Sequence, residues 1–317
     1  MTTLPPPLPP PLPPRVSPLD AVGEAIDYTK RNLFPFRFER WLALGFVAFL
    51  DQCGRGGGGT FRVPSPGGGG GSGSGGPDLR RASEWLGSHV VLVVVIAAVV
   101  LALIVAVTAL VLWLNSRGAF MYLDNVATGR ADVARPWREH AERAHSLFAW
   151  RFVIGIATLM AVALLVGLTG LLVLAYSKDR VTGGVALSLG LLGLLPIFLV
   201  LIVVVSLVSL ALRDFVAPLQ WQLGVSCGPA ARVLWGLVNA HRGSFAAYVG
   251  LKIAFGVAAA IVVVVAGCLT CCCGFLPVIS QTLLQPLFYF ERTWSLVFLR
   301  QLGYDVFAAP TVGLVAE

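Results

Sequence analysis

Residues 89–113, HVVLVVVIAAVVLALIVAVTALVLW, carry no formal charge, and only His89 and Thr108 interrupt them with polar side chains. At about 1.5 Å rise per residue such a stretch is roughly 37 Å long as a helix, enough to cross a hydrocarbon core of about 30 Å with some tilt. It predicts a membrane protein, and the rest of the chain is organised around it.

Composition agrees. Apolar residues make up 57% of the 317 residues and charged residues 12%, where soluble proteins carry about a quarter charged residues. One buried core cannot absorb that much apolar surface, so much of it must face lipid. The net charge of +7 does not point to nucleic acid, because the basic residues cluster beside apolar runs, where membrane orientation and anionic headgroups account for them. Lysine is confined to Lys30, Lys178 and Lys252 while Arg, Ala, Gly, Val and Pro abound. That usage fits a GC-rich bacterial genome.

Outward from the long span, residues 1–18 form a proline-rich tail, expected as solvated polyproline II. Within it, Pro10-x-x-Pro13-x-Arg15 fits an SH3-type ligand, so a protein partner on the tail stands beside a plain spacer. Residues 19–53 read as an interfacial helix, with Leu19, Val22 and Ile26 as its apolar stripe, followed by a short first span. Arg37, Arg40 and Trp41, interleaved with Phe34, Phe36 and Phe38, make the expected interfacial anchor. The apolar run Trp41–Leu50 is short for a span, and a re-entrant segment is the alternative. Residues 54–77 are a glycine-rich exterior loop. It lacks the preceding strand and the Lys-Ser/Thr ending of a phosphate-cradling loop.

Residues 78–303 read as a helical membrane domain with spans near 89–113, 148–176, 185–212, 245–273 and 277–298, and 304–317 as a C-terminal tail. The fold class expected is an all-α membrane protein, a bundle of about six transmembrane helices with amphipathic interfacial helices. Pro196 is expected to kink the fourth span and Pro286 to break the sixth. Arg117, Arg130, Arg135, Arg138, Arg143 and Arg151 crowd one connection, which by the positive-inside rule places it, and both termini, in the cytoplasm of a cell with this protein in its plasma (inner) membrane. A shift of ninety-six residues carries Arg117 onto Arg213 and Leu123 onto Leu219. It raises a parallel two-fold repeat in which both arginines anchor helix ends at the interface.

Asn32–Phe36 running to Phe46, the glycine loop, Arg117-Gly118-Ala119-Phe120-Met121-Tyr122-Leu123-Asp124 with Pro136-Trp137, and Leu276-Pro277 with Gln285-Pro286 to Gly303 resemble a family of uncharacterised bacterial multi-pass membrane proteins. Those are similar in turn to the membrane domain of glycerophosphoryl diester phosphodiesterases. The resemblance implies a membrane platform without catalytic residues. His241-Arg242-Gly243 matches the opening triplet of the phosphodiesterase catalytic domain, but here it runs into an apolar helix and the next acid is Glu291. The catalytic module is therefore absent, and the chain is expected not to be an enzyme.

Few groups remain that could carry chemistry. Cys53 and Cys271, Cys272 and Cys273 fall at the exterior ends of spans, so a disulfide from Cys53 to one of the three stands beside plain packing. The set does not make a metal site, and no cofactor is expected. Lys252 lies near enough to the cytoplasmic face to snorkel, with an ion or substrate pathway as the alternative. Glu291 and Arg292 are candidates to pair with each other or with Arg151 and Arg213, and Gln281 and Gln285 to hydrogen-bond across helices. Asp124 is expected in or beside a polar connection, in a solvated or capping role rather than a catalytic one. Arg37, Arg40, Trp41, Arg117, Arg213 and Arg292 form the expected lipid-interface set. The function expected is a non-enzymatic membrane scaffold that contacts lipid or a partner protein; a carrier or channel for a small or lipidic substrate is the alternative.

Overall fold

A computed structural model describes residues 16–52, 90–178, 180–269 and 277–307, and among these all regular structure is helical. The proline-rich run, the glycine loop, Cys53 and Cys271–Cys273 lie outside the described residues. Helix α1 spans Pro18–Leu33 and α2 Phe38–Gln52; α3 spans Val90–Thr128, α4 Ala134–Glu139 and α5 Ala141–Lys178. Helix α6 spans Arg180–Ala211 and passes without interruption through Pro196. It runs through a π-helical turn, Leu212–Val216, into α7, Ala217–Leu223. Helices α8 (Cys227–Ala240), α9 (Arg242–Leu269), α10 (Pro277–Leu283) and α11 (Gln285–Gln301) complete the order.

Four helices are long and apolar enough to cross a membrane, over Val94–Thr128, Ala141–Leu174, Ser188–Leu223 and Arg242–Cys268. The most apolar stretch of each holds no buried residue. Burial starts farther along, where each of these helices enters one shared head. On α3, Val91, Leu92, Val95, Val99, Leu103, Val107 and Leu110 are exposed, whereas Ala119 to Leu123 is fully buried. On α6 the exposed run ends at Leu207, and Leu212, Phe215 and Val216 are core. Helix α5 contributes Ala144 and Leu147 to the head and then exposes Trp150 to Leu174; α9 contributes Phe245 and Tyr248 and then exposes Ile253 to Val265. Each long helix therefore has an arm clothed in Leu, Val and Ile, as lipid-facing surface requires, and a base that packs like a soluble core.

This division corrects several expectations. The region after Trp113, expected as a polar connection, continues α3 helically to Thr128 and forms the centre of the head. The fourth span, expected to end at residue 212, likewise continues to Leu223. Helix α1 does not bury Leu19 and Ile26 of the apolar stripe expected for it. Ala21, Ala25 and Leu33 are buried while Leu19 and Ile26 are exposed, because α1 packs against α11 along its small residues.

Two glycines set the packing of α2. A Cβ at Gly118 would lie 2.4 Å from the carbonyl carbon of Leu50, and one at Gly45 would lie 2.9 Å from the Cα of Thr282. Helix α2 is thus wedged backbone to backbone between α3 and α10, and the close approach at Gly118 brings Asp51 to the side of α3. At 15 residues α2 is only about 22 Å long. The expected sixth span is interrupted at Leu284, with Pro286 in the first turn of α11, where its missing N–H costs nothing.

Candidate functional site

The site begins with a proline. Pro218 has no amide hydrogen, and in the π turn before it the N–H of Ala217 reaches back to the carbonyl of Leu212. The next carbonyl, that of Arg213, is left with no donor from its own helix. The widened turn also lets two consecutive charged residues, Arg213 and Asp214, both point into the head, where each is 2% exposed.

Partners from three other elements converge on them. Arg213 donates through Nε and Nη2 to Asp51 Oδ2 of α2, at 3.1 and 2.7 Å, and through Nη1 to Glu291 Oε1 of α11 at 3.0 Å. Asp214 Oδ2 accepts from Tyr248 at 3.0 Å and lies 2.9 Å from Lys252 Nζ, both on α9. Lys252 Nζ is also 3.1 Å from the Glu291 oxygen that Arg213 uses, and it stands over the Tyr248 and Trp294 rings. Arg292 Nη1 supplies the missing donor to the Arg213 carbonyl at 2.6 Å. Asn115 donates to the Leu50 carbonyl at 3.3 Å and also to the Asp51 carbonyl, and its amide oxygen accepts from Arg151. Removing this many charges from water is tolerable only because they neutralise and hydrogen-bond one another.

A second cluster lies farther along α3, around Asp124. Asp124 accepts from Arg135 at 2.8 Å and lies 3.3 Å from His140 Nε2, while Arg143 Nη1 is 3.3 Å from His140 Nδ1. A guanidinium can only donate, so Nδ1 is the acceptor and Nε2 carries the proton toward Asp124. Asp124 is buried, so of the solvated and capping roles expected for it the solvated one does not hold. At the start of α8, Cys227 is buried and its backbone N–H donates to Ser146. Burial pushes its thiol up to about 11, so it is an inert thiol at neutral pH. Among the described residues no group of His, Cys, Asp and Glu has the placement to hold a metal ion.

The residues expected at the lipid interface divide. Arg37 is exposed, with Phe34, Phe36 and Phe38 around it. Arg40 is half-buried and donates to the Gly129 carbonyl at 2.6 Å. Trp41 is buried, its indole N–H on the Leu33 carbonyl. Arg117 is clamped between the Trp113 and Trp137 rings and donates to the Trp137 carbonyl at 2.8 Å. Arg213 and Arg292 are enclosed by protein rather than open to headgroups, 2% and 1% exposed. Lys252, expected to snorkel, is 9% exposed and held by two carboxylates. Arg117 and Arg213, equated by the ninety-six-residue shift, stand in unlike surroundings, an aromatic clamp and an ion network.

Gln281 Nε2 donates to Gln52 Oε1 at 3.2 Å, and Gln285 Nε2 to the Tyr122 hydroxyl at 3.1 Å. Sequence reasoning passed over Asp51, Asp214 and Tyr248. The available signal was acids abutting apolar runs, in Leu50-Asp51 and Arg213-Asp214-Phe215, which are costly in a membrane chain unless paired.

No curated protein and no solved structure matches this chain. A family model does match, over residues 16–315. That span takes in the arms, the head and the ion network together, and the chain belongs to this family of unknown function (DUF7544).

Proposed function

We propose that the protein is a non-enzymatic membrane platform: a multi-pass anchor that holds a folded helical head against one face of the membrane and contacts lipid around the head's base. The observation that carries this reading is the two-zone build of the long helices, lipid-facing arms joined to a soluble-like core. The exposed Phe34, Phe36 and Phe38 with Arg37 supply an aromatic and basic rim suited to headgroups. The arginine-rich connections Arg130 to Arg143 and Arg232 to Arg242 belong to the head, so the head is read as cytoplasmic and the membrane as the bacterial plasma membrane.

Native mass spectrometry of the protein released from nanodiscs containing anionic lipid tests the platform reading. Wild type should retain anionic lipid, and replacing Arg37 together with Arg31, exposed in the last turn of α1, by Gln should strip it; equal retention by both would remove the lipid-contact role. A reporter after residue 70 that labels from the cytoplasmic side would overturn the orientation.

A second reading, a carrier, is favoured by one feature: a charged network centred on a π turn, a rearrangeable element. Counterflow in liposomes that depended on Lys252 would favour it.

A further inference from the structure

Helix α8, Cys227–Ala240, joins the head end of one long apolar helix, Ser188–Leu223, to the start of the next, Arg242–Cys268. It crosses the neck where the arms leave the head. At one end the Cys227 N–H donates to Ser146 of α5. At the other, α8 passes into α9 at Arg242, three residues before Phe245, whose ring meets Phe215 of the π turn. Cys227, Ala230 and Leu234, three and four apart, form its buried face.

The opposite face is open. Trp235 is 69% exposed, Arg232 and Asn239 are exposed beside it at helical spacing, and exposed Arg242 extends the stripe by donating to Asn239 Oδ1 at 3.1 Å. Gly228 fixes where this face looks, because it lies seven residues before Trp235 and so on the same side of the helix. A Cβ at Gly228 would point at the Trp150 ring, 3.9 Å away. Trp150 is where α5 passes from buried Leu147 to its exposed arm, so the Trp235 face is turned toward the arms. Between Asp214 and Glu291 the chain has no acidic residue, and nothing on α8 offsets Arg232 and Arg242.

We infer that α8 lies in the plane of the membrane surface, with the Trp150 and Trp235 indoles in the headgroup layer and Arg232 and Arg242 on the phosphates of anionic phospholipid. Indoles settle at that depth, and an aromatic, basic face without acids is complementary to an anionic lipid surface. The site rests on the platform reading and is a second contact, on a different element from the Phe34, Phe36 and Phe38 rim.

The test uses the full chain, labelled with fluorotryptophan, in nanodiscs of phosphatidylcholine and phosphatidylglycerol loaded with one chain each. Trp150→Phe and Trp235→Phe assign their two fluorine resonances. A nitroxide on the lipid near its glycerol backbone should broaden both. Broadening of Trp150 alone would overturn the placement of α8 and leave the platform reading standing, whereas broadening of neither would remove both. A Trp235 resonance that stays sharp until each disc holds two chains would give the face to a second copy and overturn the lipid site. In native mass spectrometry, Arg232→Gln and Arg242→Gln should each lower phosphatidylglycerol retention about fivefold relative to phosphatidylcholine, and Arg232→Lys should keep it. Unchanged retention in both Gln variants would overturn the contact with anionic phosphates, whatever the Arg31 and Arg37 variant does.

Discussion

Arg292 Nη1 lies 2.6 Å from the backbone carbonyl of Arg213, the acceptor that Pro218 and the π turn leave without a helical donor. A side chain of α11 thereby completes the backbone of a different helix, and the orientation of Arg213 and Asp214 depends on both.

Replacing Pro218 with Ala restores a donor and removes the local reason for the widened turn. The segment is expected to revert toward α-helix, swinging Arg213 or Asp214 off its partners. One charge-assisted hydrogen bond is worth about 1.5–3 kcal/mol, so the thermal midpoint should fall although a helix breaker has been removed. A midpoint equal to or above that of wild type would show that the π turn has another cause.

The Asp51–Arg213 pair should behave as a buried pair. Asp51→Asn or Arg213→Met alone strands a charge and should cost about 3–5 kcal/mol, whereas the double variant should recover much of it. A double-mutant cycle on reversible unfolding in micelles measures the coupling, and additive losses would mean that the two side chains do not act as a pair.

Gly118→Ala should be among the most damaging single-methyl additions. Its Cβ would meet the Leu50 carbonyl carbon at 2.4 Å and the Asp51 nitrogen at 2.5 Å, both backbone atoms that cannot rotate away. Overpacking of this kind costs about 1–3 kcal/mol, occasionally more. Gly250→Ala on α9 meets nothing within 4 Å, so helix propensity alone should leave it neutral or stabilised by up to about 1 kcal/mol. The two melting temperatures should move in opposite directions, or only the first should move.

Cys227 should confer alkaline sensitivity. Its thiol is pushed from 9.0 up to about 11 by burial, so the folded state holds its proton where the unfolded state has lost it. The stabilising contribution is full below about pH 9 and falls as pH rises toward 11. Melting curves of wild type and Cys227→Ala should therefore converge over that interval. A constant difference would place the thiol in a more polar setting than the structure gives it.

The helical class and the helices long and apolar enough to cross a membrane were legible from local pattern, because an apolar run such as His89–Trp113 has few other fates. The cross-helix roles of Gln281 and Gln285 were within reach for the same reason: amides inside an apolar run need partners. What local pattern misplaced were the charges at the inner ends of the spans. Local pattern places Arg213 and Arg292 at the interface and has Lys252 snorkel from within its span, because a basic residue beside an apolar run usually reaches the headgroups.

By itself, then, the sequence determined which helices are long and apolar enough to cross a membrane, since the transfer free energy of side chains adds up along a single helix. Only the tertiary structure decided which charges leave water. Burying Arg213 is favourable only when Asp51, 162 positions away, and Glu291, 78 positions away, meet it from other helices. That pairing rests on the backbone approach at Gly118 and on the turn that Pro218 forces, and it is a property of no one segment.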